Sequence, residues 1–126
     1  MEIDFKDPKY YTNRELRWVL FDYRVLNEAR DKSIPLFERL KFLSITASNL
    51  DEFFMIRVAS LKDMENAGYT KKDIAGMTPT EQLKALHVEI HELVDLQYST
   101  YNRSLLPLLE KNGLHIIREH EQLTAE

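Results

Sequence analysis

From Thr12 onward the apolar residues recur at helical spacing, separated by short polar breaks. Leu16, Val19, Leu20, Tyr23 and Leu26 fall on one face of a first helix, and Trp18, Phe21, Val25 and Ala29 populate a second face. Thr12-Asn13-Arg14-Glu15 has the capping-box form that opens such a helix. The Thr12 hydroxyl is placed to accept from the Glu15 N–H while the Glu15 side chain reaches back. A helix this apolar on both sides is expected to be covered from both, which a lone four-helix domain of this size struggles to do.

A second helix is predicted from Ser33-Ile34-Pro35, because proline at the first turn gives up an N–H that has no partner there anyway. Leu36, Leu40, Leu43 and Ala47 line one face of it, with Phe37, Phe42 and Ile45 beside them. Ser48 and Asn49 are two capping residues in succession, and Asn49 stands three before Glu52, so the pattern predicts a break there. A third helix then runs from Leu50 to about Ala67, closed by Gly68, with Leu50, Phe53, Phe54, Val58, Leu61 and Met64 apolar.

Residues 68–78 are the one loop-like stretch, and Thr78-Pro79-Thr80-Glu81 is the strongest helix start in the chain. The following pattern (Leu83, Leu86, Ile90, Leu93, Val94, Gln97, Tyr101, Leu105, Leu108) predicts one long helix from Pro79 to Asn112, about 50 Å at 1.5 Å per residue, loosened near Pro107. Leu114-His115-Ile116-Ile117 reads as a short strand with no partner in this sequence, and Glu121–Glu126 as the start of a further element. The predicted fold is all-α: an antiparallel bundle of three to four helices with one long C-terminal helix and a short extended tail. The expected division is a helical domain over 1–113 and the beginning of another over 114–126, so that the whole reads as a fragment.

Composition narrows the chemistry. The 126 residues contain no Cys and 3 Gly, none in a phosphate-cradling spacing, which excludes disulfides and a self-sufficient P-loop or Rossmann site. A net charge of -4 gives no bulk attraction to nucleic acid or an anionic membrane. Residues 1–62 carry 11 Lys and Arg against 10 Asp and Glu, and residues 63–126 carry 6 against 11, so a polyanion would approach the first half. No apolar run reaches the roughly 20 residues of a membrane span.

Candidate chemistry is sparse. His87 and His91 lie one helical turn apart, a spacing able to hold a metal, but no further ligand is identifiable; they read as two half-exposed helix histidines, and no metal site is expected. Asp51 and Glu52, as adjacent helical residues, diverge by about 100° and form no acid–base pair; a first-turn, dipole-complementing role suffices. Arg14, Arg17, Arg24, Lys32, Arg39, Lys41, Arg57 and Lys62 fit a solvated face. Asn49 has two readings: an ordinary cap at a helix break, or an amide beside free N–H groups able to bind a nucleobase or an anion.

Three dense motifs carry more. Asn13-Arg-Glu-Leu-Arg-Trp-Val-Leu-Phe-Asp-Tyr-Arg-Val-Leu-Asn-Glu-Ala29 resembles the opening helix of bacterial polyphosphate kinase, the long-chain polyphosphate-synthesising type. Asp31-Lys-Ser-Ile-Pro-Leu-Phe-Glu-Arg-Leu-Lys-Phe-Leu43 is similar to that family's next segment, and Ser48-Asn-Leu-Asp-Glu-Phe-Phe-Met-Ile-Arg-Val-Ala59 to its N-L-D-E-F signature. The resemblance covers about residues 12 to 62 densely and the later helix and Gly113-Leu-His-Ile step more loosely. Arg17 and Asp22 depart from the family's usual Ser and Asn.

The resemblance implies a helical N-terminal domain of a much longer enzyme, followed by a head domain used in dimerisation and two C-terminal domains that carry catalysis. It implies reversible transfer of the terminal phosphate of ATP to polyphosphate through a phosphohistidine, with Mg2+. The phosphorylated histidine and the metal ligands belong outside this segment, so no catalytic or metal-binding residue is expected here and the fragment alone is expected to be inactive. It further implies that Asn49 contacts the nucleotide (ATP or ADP), that partners are the remaining domains of the same chain in a homo-oligomer, and that the location is cytoplasmic, with peripheral membrane association an open alternative. The competing expectation is a structural interdomain module, docking through Trp18, Phe21 and Val25 without touching nucleotide.

Overall fold

The computed structural model describes residues 4–117. A 3-10 turn (Pro8–Tyr10) precedes α1 (Arg14–Arg30); α2 (Leu36–Phe53) passes through a π turn (Phe54–Val58) into α3 (Ala59–Asn66). After the loop, α4 (Pro79–Ser99) passes through a second π turn (Thr100–Leu105) into α5 (Leu106–Lys111). Among the described residues there is no strand, and the all-α expectation holds. Leu114–Ile117 is exposed and has no regular structure, so the predicted strand is not formed within those residues; the rest of the 114–126 segment, His120 included, lies outside the described residues.

The chain direction follows from three contacts. Arg39 meets Ala29, Asn49 meets Asp22, and Arg57 meets Glu15, so residue numbers rise on one helix as they fall on the other. The rod α2–π–α3 is therefore antiparallel to α1. Tyr23 Oη donating to the Glu89 carbonyl (3.4 Å) and Asn13 to Asp73 set α4 alongside α1 in the same sense. The core lies between these three rods: Val19, Leu26 and Ala29 from α1, Leu50 and Phe53 from α2, Leu61 from α3, and Leu86, Ile90 and Leu93 from α4. Full burial of each large aliphatic among them contributes roughly 1.5–3 kcal/mol.

Two predicted boundaries move. The N-cap of α1 is Asn13, not Thr12: its Oδ1 accepts from the N–H groups of Glu15 (2.9 Å) and Leu16 (3.0 Å). Its Nδ2 donates to Asp73 Oδ2 at 2.6 Å. An amide can cap the helix and reach the loop at once, which a threonine hydroxyl one residue earlier does not do. Glu15, freed from reaching back, sits 3.3 Å from Arg57 Nε as an ion pair without hydrogen-bond geometry.

The second correction is larger. There is no break at Ser48-Asn49; α2 runs unbroken through both, and backbone angles stay helical from α2 through the π turn to Val58 and beyond. The helix ends where expected, at Gly68, whose φ of 73° suits a residue without Cβ. There the N–H of Tyr69 reaches back to the Met64 carbonyl (3.0 Å). Thr78 caps α4 as predicted, accepting from the Glu81 N–H at 3.2 Å. The loosening foreseen at Pro107 appears one turn earlier as the second π turn, where the Leu106 N–H bonds the Tyr101 carbonyl.

Candidate functional site

The buried stripe of α1 is Val19, Asp22, Leu26 and Ala29. Asp22 is an acid at a core position, 0% exposed. One of its oxygens, Oδ1, accepts from Asn49 Nδ2 at 3.2 Å across the α1–α2 seam. The other, Oδ2, is buried without a hydrogen-bond partner. Burial pushes the carboxyl up to about 6, against the opposing pull of the Asn49 hydrogen bond.

Asn49 is therefore not a helix cap, and it does not stand beside the free N–H groups of a helix start. Its backbone lies inside α2 with the N–H groups around it committed to the helix, and only its side chain is available to a ligand. Asp51 and Glu52 lose the proposed first-turn role for the same reason.

Beside Asn49 is a cleft of about 290 Å³, lined by Trp18, Phe21, Asn49, Glu52, Phe53, Ile56 and Arg57. Trp18 stacks on the buried Phe53 ring (centroids 4.2 Å apart, planes within 8°) and makes a flat apolar wall. Arg57 lies over the same Phe53 ring at 5.9 Å and is paired with Glu15. Phe21 (51% exposed) and Ile56 (59%) stand at the rim. The volume sits at the low end for ligand pockets, enough for a flat ring system rather than a whole nucleoside triphosphate.

The other sequence candidates separate from this cleft. His87 and His91 are exposed on α4 with rings 4.4 Å apart, on the wall of a larger apolar groove of about 580 Å³ between α3 and α4. Among the described residues no three potential ligands gather for a metal. Arg39 is not solvated, as periodicity suggested, but 3% exposed: Nε donates to the Ala29 carbonyl (2.9 Å) and Nη2 to Ser104 Oγ (3.0 Å). Of the docking residues proposed on α1, Phe21 is exposed, while Trp18 and Val25 are half-buried. Asp22 was missed as a site residue; its signal was one acid inside the Val19–Leu26 apolar stripe, facing a helix that carries an amide.

The fold is a helical module of three rods with a small aromatic-walled cleft beside one side-chain amide. The family model described as polyphosphate kinase N-terminal domain matches residues 11–117, and the chain belongs to that family. It is 55% identical over 115 residues to a polyphosphate kinase of Lactiplantibacillus plantarum, covering 91% of this chain and 16% of that protein. It is 49% identical to the Bacillus anthracis polyphosphate kinase (98% of this chain, 18% of that protein) and 48% identical to that of Synechocystis sp. (98% and 17%). The chain thus spans about a sixth of the length of these relatives. No solved structure matches it.

Proposed function

We propose that this chain serves as the N-terminal domain of a polyphosphate kinase, an ATP:polyphosphate phosphotransferase, and that it holds the nucleobase of ATP through Asn49. On this reading residues 1–113 form the domain and 114–126 lead into a head domain. The phosphohistidine and Mg2+ ligands lie elsewhere in the enzyme, which works as a cytoplasmic homo-oligomer. No helix among the described residues is long and apolar enough to cross a membrane. The observation that carries the reading is the Asn49 amide in the lining of a cleft with a flat aromatic wall. The domain's part is orientation: fixing the base places the triphosphate relative to groups supplied by other domains.

The test is Asn49→Ala in the full-length enzyme. KM for ATP is expected to rise roughly three- to tenfold, the worth of one hydrogen bond, with kcat changed less. A lower melting temperature with unchanged nucleotide dependence would leave Asn49 as a packing residue only. One observation favours the alternative of a docking module without nucleotide contact: Phe21, Met55 (71% exposed) and Ile56 leave a band of apolar surface around the cleft. Sedimentation that depends on concentration but not on ATP would support it.

A further inference from the structure

We propose that Asp22 is a positioning residue that fixes which end of the Asn49 amide faces the cleft, and thereby which nucleobase edge the cleft accepts; this rests on the reading of Asn49 as a base contact. An ionised carboxylate only accepts hydrogen bonds, so it holds Nδ2 of Asn49 and leaves Oδ1 as the group offered to a ligand. The bond to Asp22 engages Nδ2 and not Oδ1. An acceptor there pairs with an exocyclic amine, as on adenine, and opposes a carbonyl at the same ring position, as on hypoxanthine or guanine. Discrimination between donor and acceptor arises at such a site because the wrong partner leaves both groups unpaired.

The arrangement has a built-in dependence on protonation. A neutral Asp22 carboxyl can donate to Asn49 Oδ1, which lets the amide reverse and present Nδ2 instead. Charged groups on the surrounding elements include Glu15 on α1, Arg39 and Glu52 on α2, Arg57 in the π turn, and Glu89 and Glu92 on α4. None of them drives the rise at Asp22, which comes from burial and is opposed by the Asn49 hydrogen bond. Arg57 is taken up by Glu15, Arg39 by Ala29 and Ser104, and Glu92 and Glu89 act on Tyr23.

The experiment compares ATP with ITP, which replaces the 6-amine by a carbonyl, as phosphate donors for the full-length enzyme carrying this domain. In Asp22→Leu the ATP-over-ITP ratio of kcat/KM is expected to fall roughly three- to tenfold, through KM rather than kcat. In the wild type the same ratio falls as pH drops from 7.5 to 5.5, and in Asp22→Asn it is flat over that range. Titration of the phosphates is common to both donors and cancels in the ratio. A wild-type ratio that is flat with pH, an Asp22→Asn profile that tracks the wild type, or an Asp22→Leu ratio equal to wild type overturns the inference. If Asp22→Leu does not fold, the two pH profiles decide it. Asn49→Ala separates the layers. A KM unchanged for both donors refutes the base contact itself. A ratio collapsed by Asn49→Ala but untouched at Asp22 refutes positioning alone.

Discussion

Arg39 is the side chain whose removal should be felt most widely, because it ties the end of α1 and the second π turn to the first turn of α2. The informative substitution is Arg39→Met, which keeps the apolar stem and deletes the guanidinium. It strands the Ala29 carbonyl, one of the last four of α1 and without a helical partner, and the Ser104 hydroxyl. A stranded buried group costs about 1–3 kcal/mol, and the half-buried Ser104 hydroxyl falls at the low end. Losing a cation at the α1 C-terminus adds about 0.3–1 kcal/mol. Relief from no longer burying the guanidinium offsets part of this, leaving about 3 kcal/mol. At about 2.1 cal/mol/K per residue, a chain of 126 residues loses about 4 °C of melting temperature per kcal/mol. Thermal melts should therefore show Arg39→Met about 10 °C below wild type, with Arg39→Lys between, since an ammonium reaches one acceptor without the planar fork. A drop under about 3 °C for Arg39→Met, or Arg39→Lys matching wild type, would refute the bridge.

Asp22 makes the opposite kind of prediction. Its raised pKa means the folded state binds a proton more readily than the unfolded chain, so its contribution to stability declines as pH rises from about 4 through about 6. Asp22→Asn should consequently be more stable than wild type at pH 8, by up to about 3 kcal/mol, and the gap should close toward pH 4. Urea titrations at the two pH values measure it; Asp7, Asp31 and Glu65, whose pKa values are lowered, cancel in the difference. A gap independent of pH would contradict it. For the loops, Gly76→Ala should cost more than Gly68→Ala in the same melts. Both need positive φ, but a Cβ at Gly76 would stand 3.2 Å from the Pro8 ring, whereas Gly68 has open space. Equal losses would show that the Pro8 contact is soft.

Much of the scaffold was legible in the sequence, and the misses share a cause. The α4 start at Thr78-Pro79, the Gly68 stop and the apolar residues of the core follow from local chemistry that tertiary contacts reinforce. Ser48-Asn49 was misread because a preference for capping is local, while here the Asn49 side chain has a better partner on another helix, Asp22, so the helix continues through it. The polar core residues Asp22, Arg39 and Thr46 were invisible for a related reason: periodicity marks a face by its apolar members. These three lie on buried faces, bonded to groups 27, 10 and 4 residues away. The two-sided first helix was half right. Val19 and Leu26 of the first predicted face enter the core together with Ala29 of the second, while Leu20 and Phe21, one from each face, remain exposed.

Asn13 shows how few side chains set the cooperativity of the bundle. Its amide closes the first turn of α1 and also grips Asp73, whose Oδ1 in turn accepts from the N–H groups of Ala75 (3.0 Å) and Met77 (2.9 Å) just before α4. The opening of α1 and the approach to α4, 60 residues apart in sequence, therefore cannot fray separately. The amide protons of Glu15, Leu16, Ala75 and Met77 share one opening event and one exchange free energy, so two surface segments that look peripheral behave as a single unit of unfolding.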